Sequence, residues 1–246
     1  MPRLSPGARA LLCAFALPCA SALADPAAYV FVPYADTGRW QLAFGAGTEH
    51  ARDGSRETQQ TLGVAIAPTA RWWTSAYAAW AATDGGAFGP DEWSWVNHLQ
   101  LTAPGSGPVG VGVLCELAKA HDADEGHSVA CGPTLQLDTD DLQVNLNLSL
   151  AKQFGAEERA PVQLGYQWQA KTLLAGGVEL GAQGFGGLGP WNRWAPGGQQ
   201  EHLAGPAVFA KTAWNGHPLS LDAAWLFGLG TGSPKNVLRL RLQQEF

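Results

Sequence analysis

Residues Leu142-Gln143-Val144-Asn145-Leu146-Asn147-Leu148-Ser149-Leu150 alternate aliphatic and polar side chains without a break. A period of two suits an extended strand whose two faces meet different surroundings, and it defeats a helix. One such strand decides little, but the pattern recurs along the chain in segments of about ten residues. It predicts twelve strands, near 39–50, 58–67, 71–82, 92–102, 109–119, 128–138, 142–150, 162–171, 175–184, 203–214, 219–229 and 237–246. The phase is plain in most of them. Trp40, Leu42 and Phe44 share a face, as do Leu62, Val64 and Ile66, Trp93, Trp95 and Leu99, and Leu238, Leu240 and Leu242. The Trp-rich third strand is ambiguous.

The opposite face decides what this sheet meets. It carries Gln, Asn and Gly more than charge, and only 15% of the chain is charged. A soluble domain holds about 25% charged residues. A soluble sandwich would bury the aliphatic face and charge the other. With the aliphatic face in lipid, backbone amides have no water to bond, so the sheet has to close on itself. The sequence therefore predicts an all-β fold, a transmembrane antiparallel up-and-down β-barrel of about 12 strands over residues 38–246. Connections after even strands are expected to be short: 67–70, 103–108, 139–140 and 215–218. Those after odd strands are expected to be longer, the longest being 185–201. That asymmetry is the outer-membrane pattern of short periplasmic turns and longer external loops.

Residues 1–24 read as a signal peptide, with Arg3 and Arg9, an apolar run from Leu11 to Ala20, and the cleavage site Ala22-Leu23-Ala24. The mature chain then starts at Asp25, and residues 25–37 are assigned to an N-terminal periplasmic segment that either plugs the barrel or trails in the periplasm. Losing two arginines leaves 13 basic residues against 21 acidic ones, a net charge of −8. No basic stripe is present, which excludes nucleic acid as a partner. The expected location is the bacterial outer membrane, and the expected surroundings are its lipid.

Val237 to Phe246 alternates and closes on an aromatic residue, and it resembles the C-terminal signal of outer-membrane proteins. The resemblance implies that the barrel-insertion machinery is a partner through Phe246. The chain also resembles a group of uncharacterised proteobacterial outer-membrane proteins. The likeness rests on Leu101-Thr102-Ala103-Pro104-Gly105, on Leu164-Gly165-Tyr166-Gln167-Trp168-Gln169, and on the Gly-rich run from Gly181 to Trp191. Gly205-Pro206-Ala207 and Ala223-Ala224-Trp225-Leu226 add to it. More loosely, the whole is similar to outer-membrane transporters linked to aromatic-compound degradation pathways. The resemblance implies a barrel and brings no catalytic motif with it.

The candidate site is the lumen. Glu116, Gln163, Gln167, Gln169, Glu179, Asp222, Arg239, Arg241 and Glu245 fall on the polar phase and are expected to line it. Isolated buried charges are costly, so these groups should pair across the lumen. The result is either a plugging salt-bridge network or a constriction that selects by charge. Cys115 and Cys131 flank a turn centred on Ala123 and sit opposite one another. They form either a cross-strand disulfide or two lipid-facing thiols.

No cofactor and no metal are expected. The run His121-Asp122-Ala123-Asp124-Glu125-Gly126-His127 matches no closed ligand set. Ser94 and His98 share a strand face, but four residues along a strand put them about 13 Å apart, too far for a nucleophile and its base. No enzymatic role is expected. The readings carried forward are a passive pore or transporter for small solutes, then a structural barrel with a plugged lumen, with a lipid-modifying enzyme behind both.

Overall fold

The computed structural model describes residues 25–32, 37–103, 106–156, 160–173 and 177–246. The signal-peptide assignment lies outside them. The strands are β1 (Trp40–His50), β2 (Arg56–Thr69), β3 (Trp72–Thr83), β4 (Gly89–Gln100), β5 (Val109–Ala120), β6 (His127–Asp138), β7 (Leu142–Phe154), β8 (Gln163–Leu173), β9 (Val178–Pro190), β10 (Glu201–Trp214), β11 (His217–Gly228) and β12 (Asn236–Glu245). Each pairs antiparallel with its chain neighbours, and β1 pairs with β12, so the sheet is a closed barrel. Closure satisfies every strand edge within the chain, as lipid demands.

Two ends of the barrel differ. The connections after β2, β6, β8 and β10 gather at one end, here the turn end, together with the start of β1. The connections after odd strands gather at the other, the loop end. Asn215-Gly216 makes a two-residue hairpin with φ of 50° and 80°, the left-handed pair such a tight turn needs. The β4–β5 connection departs from the expected shortness. It runs from 101 to 108, longer than the 51–55 loop at the opposite end.

The outward face is apolar around the barrel: Trp93 is 54% exposed and Leu238 59%. Outward indole N–H groups find partners among the few outward polar atoms. Trp72 Nε1 donates to Asn97 Oδ1 at 3.1 Å, and Trp95 Nε1 to Thr74 Oγ1 at 2.9 Å. Cys115 and Cys131 face each other in the β5–β6 register and are joined by a disulfide on this outer face.

One ambiguity and one departure in the sequence reading have clear causes. β3 keeps one phase throughout, with Trp72 and Trp80 exposed and Trp73 and Ser75 buried. Its pattern is ambiguous because tryptophan stands on both faces, and the extra residue of the bulge opposite Ala78 and Trp80 belongs to β4. β9 continues through Gly184 to Pro190, where low β propensity suggests a loop. The loop that follows is therefore 191–200, not 185–201. Two outward glycines accept aromatic rings from β8. A Cβ on Gly184 would lie 2.2 Å from Trp168 Nε1, and one on Gly186 2.5 Å from the Tyr166 ring. The rings replace the missing side chains, a recognised way to hold glycine in a sheet. Gly184→Val is therefore expected to cost about 1–3 kcal/mol by overpacking, read as a lower urea midpoint for the refolded barrel. An unchanged midpoint would show that the Trp168 ring is free to move aside.

The N-terminal segment, open in the sequence between plugging the barrel and trailing in the periplasm, has residues 25–32 inside the barrel. Val30 packs in a cluster with Phe185, Leu203, Ala207, Phe209, Ala224, Leu226 and Val237, from β9 to β12. Phe31 packs with Ala65, Ala67, Trp73 and Val96, from β2 to β4. Eight residues thus reach both sides of the wall. Burial of two large apolar side chains in matching wall patches, each worth about 1.5–3 kcal/mol, explains why the segment stays in. Phe31 stands at the turn end and Asp25 at the loop end, so the segment descends through the lumen before the chain enters β1.

Candidate functional site

The lumen has three zones. At the turn end the wall is neutral and hydrogen-bonded. Asn145 Nδ2 donates to Gln136 Oε1 at 2.7 Å, Gln169 Nε2 to Asn145 Oδ1 at 3.0 Å, and Gln183 Nε2 to Gln169 Oε1 at 3.3 Å. This amide chain crosses four strands and is fully buried, which is tolerable because almost every member is satisfied. On the far wall Gln41 is tied to the C-terminal strand: Gln243 Nε2 donates to Gln41 Oε1 at 2.5 Å, and Gln41 Nε2 to Glu245 Oε1 at 3.2 Å.

The middle zone holds two arginines. Arg239 is 4% exposed, sits 3.6 Å from Asp222 and lies 4.6 Å from the centre of the Phe185 ring. Nearer the turn end, two residues past Gln169 on β8, Lys171 pairs with Glu179 at 2.6 Å. Arg241 stacks on Tyr29 of the inserted segment at 3.5 Å and donates to Tyr77 Oη at 3.3 Å. Tyr29 Oη in turn donates to Tyr77 Oη at 3.1 Å. Tyr29 is thus held between a wall arginine and a wall tyrosine. Gly63 makes room for the Tyr77 ring, since a Cβ there would lie 2.2 Å from it.

The loop end is acidic. Asp25, Glu49, Glu57, Glu92, Glu116 and Glu201 all belong to it, and Glu49 lies directly opposite Glu57 in the β1–β2 register. Among the described residues no cation forms an ion pair with any of them. A cavity of about 90 Å³ runs along the inserted segment here, lined by Asp25, Tyr29, Phe31, Gln59, Tyr77, Glu92, Ser94, Glu116 and Gln167 among others. Phe31 closes its base. The ring packs edge-on against Trp73 at 5.0 Å and against His98 at 4.8 Å. Trp73 and His98 line a second, smaller cavity of about 10 Å³ at the turn end.

The sequence-derived lumen residues fall in different places. Gln169, Arg239, Asp222, Glu179 and Arg241 lie in the turn-end and middle zones, with Glu245 at the turn end. Glu116 and Gln167 line the acidic cavity. Gln163 sits at the loop rim, donating to Pro161 O at 3.2 Å. Ser94 and His98 both point inward. His98 Nε2 is bonded to Thr134 Oγ1 at 2.9 Å, so its ring is committed to the wall. No group of three potential metal ligands occurs among the described residues, the 121–127 loop included.

Sequence reasoning missed Tyr29, Phe31 and the carboxylates other than Glu116. A signal for the first two exists: Leu203, Phe209, Leu226 and Val237 are apolar on a phase that should be polar. Such a band is unexplained unless something apolar occupies the lumen. Glu92 keeps phase with Ser94, Val96 and His98 and was legible too.

Fold comparisons reach outer-membrane barrels. The COG4313 outer membrane channel from Pseudomonas putida F1 superposes with a TM-score of 0.65 at 11% identity, over 90% of this chain and 98% of that one. The KdgM porin gives 0.57 at 9% identity, over 84% and 99%. The translocator domain of autotransporter NalP from Neisseria meningitidis gives 0.50 at 15%, over 86% and 89%. At these identities the likeness is one of fold. No protein-family model matches the chain, and no curated protein matches it.

Proposed function

We propose that this protein is an outer-membrane channel that admits small polar solutes, cations in preference to anions, past a plug formed by residues 25–32. The observation that carries the reading is the acidic cavity of about 90 Å³ beside the plug. A wall designed only to be filled would close on the plug with apolar side chains. Here Ala79, Val96 and Leu114 share the lining with the Glu92 and Glu116 carboxylates, the Gln59 and Gln167 amides and the Ser94 hydroxyl, and rings of carboxylates favour cations. The apolar outer face supports a barrel seated in lipid. The loop end, with its longer connections, would face outward from the cell, so cations would meet the carboxylates first.

Solute class follows from charge. KdgM was solved with an oligogalacturonate, an acidic sugar chain; the carboxylates here would repel such a ligand. The sequence likeness to transporters linked to aromatic-compound pathways adds aromatic solutes as a class to be assayed, with Tyr29 and Tyr77 available to stack on them.

Planar-bilayer recording tests the proposal. The refolded chain lacking residues 1–24 is expected to give small, discrete current steps and a cation-selective reversal potential in asymmetric potassium chloride. Glu92→Gln with Glu116→Gln should move that potential toward zero. Folded barrels that insert and pass no current, with or without residues 25–32, would instead support a structural barrel.

A further inference from the structure

We propose that the carboxylates at the loop end form a seat for the chain's own α-ammonium group at Asp25, generated when residues 1–24 are cleaved off, and that this pairing latches the plug. The inference rests on the plugged-lumen reading above and on cleavage after Ala24.

Position comes first. Asp25 lines the acidic cavity together with Glu92 and Glu116. Glu57, Asp91 and Glu92 are all close enough to act electrostatically on Asp25. Gln59 ties the plug to this group. It accepts from Ala27 N at 3.4 Å through Oε1 and donates to Asp91 Oδ2 at 2.9 Å through Nε2. Ala28 N donates to Asp25 O at 2.8 Å, closing a turn that fixes where residue 25 sits.

Charge comes second. Gathered carboxylates in a confined lumen repel one another and need a cation. The wall arginines are occupied elsewhere: Arg239 pairs with Asp222, and Arg241 is held by Tyr29 and Tyr77. Lys171 pairs with Glu179. The nitrogen of Asp25 is the one group whose charge maturation changes. While Ala24 is attached it is a neutral amide. Hydrolysis breaks the bond between the Ala24 carbonyl carbon and Asp25 N. Water supplies a hydroxyl to the Ala24 carbonyl carbon and a proton to the leaving nitrogen; the resulting carboxylic acid loses its proton, and the amine takes one up to become an ammonium. The small residues Ala22 and Ala24 in the sequence are what a signal peptidase requires. The cleavage that releases the exported chain would then also supply the missing cation.

The test reads the amine and not the current. Mature protein is purified from outer membranes, and intact mass identifies its first residue. The folded barrel in detergent micelles and the same chain unfolded in urea are then treated with N-acetoxysuccinimide across pH 6–10. Mass spectrometry follows acetylation of the N-terminal peptide. An α-amine normally titrates near 7.7–8.0. Carboxylate neighbours should raise this, so that near pH 8 the folded chain reacts about tenfold or more slowly, with its rate profile shifted to higher pH. Burial alone would slow the reaction at every pH without that shift. Glu57→Gln, Asp91→Asn and Glu92→Gln, made singly and checked for heat-modifiable gel migration, should each move the profile back toward the unfolded one. A folded chain whose amine titrates as the unfolded one does, or a mature chain that begins at another residue, overturns the proposal. A non-conducting barrel would count against the channel reading and leave this measurement interpretable.

Discussion

A Gly47→Leu barrel is expected to conduct several-fold more current than the wild type while keeping its strand pairing. Gly47 faces the lumen on β1, and the plug backbone lies directly against it. A Cβ there would sit 1.9 Å from the carbonyl oxygen of Pro26 and 2.2 Å from its carbonyl carbon. These are backbone atoms, so no side-chain rotation relieves the clash, and the plug has to move. The barrel does not have to. Its strands pair with one another alone, and β1 keeps both of its ladders, to β2 and to β12. Deleting residues 25–32 should raise conductance at least as much. Single-channel recording checks both, with heat-modifiable gel migration confirming a closed barrel. A Gly47→Leu protein with wild-type conductance would mean that the plug shifts by an ångström or two without unblocking the lumen. A deleted plug without a conductance increase would place the constriction in the wall itself.

Asp222→Ala should be the most damaging single change in the wall. Arg239 is almost fully buried, its Nη1 already has no hydrogen-bond partner, and Asp222 is its ion-pair partner. Removing that carboxylate leaves a buried guanidinium with only the face of the Phe185 ring. Breaking a buried pair from one side typically costs about 3–5 kcal/mol, which would appear as a large drop in the urea midpoint for unfolding from lipid vesicles. The double variant Asp222→Ala with Arg239→Met should recover much of that loss, because a long apolar side chain suits the neighbouring Phe185, Leu226 and Val237 cluster. If the single variant is nearly neutral, water reaches Arg239 from the lumen. The pair would then contribute to the pore's charge and not to its stability.

The strands themselves were legible because lipid on one side and a polar lumen on the other impose a strict period of two. Leu142 to Leu150 and Val237 to Phe246 could be assigned to faces residue by residue. Legibility failed where another element supplied what the local residues lacked. The glycines of β9 look like a loop, and only the Trp168 and Tyr166 rings of the neighbouring strand make them a strand. The phase of Trp73 and Tyr77 is hidden because β3 carries Trp on both faces and small Ala and Ser residues between them; the lumen packing of Trp73 against Phe31 decides it.

The sequence by itself determined the closed twelve-strand barrel, its apolar exterior and the inward phase of most of its charges, since each follows from alternation along a single strand. The tertiary structure alone decided that residues 25–32 fill the lumen, that Tyr29 is clamped between Arg241 and Tyr77, and that carboxylates from β1, β2, β4, β5 and β10 meet at one end. Those facts depend on which residues of distant strands share a level around the barrel. That is set by register and closure, and no window of sequence contains it.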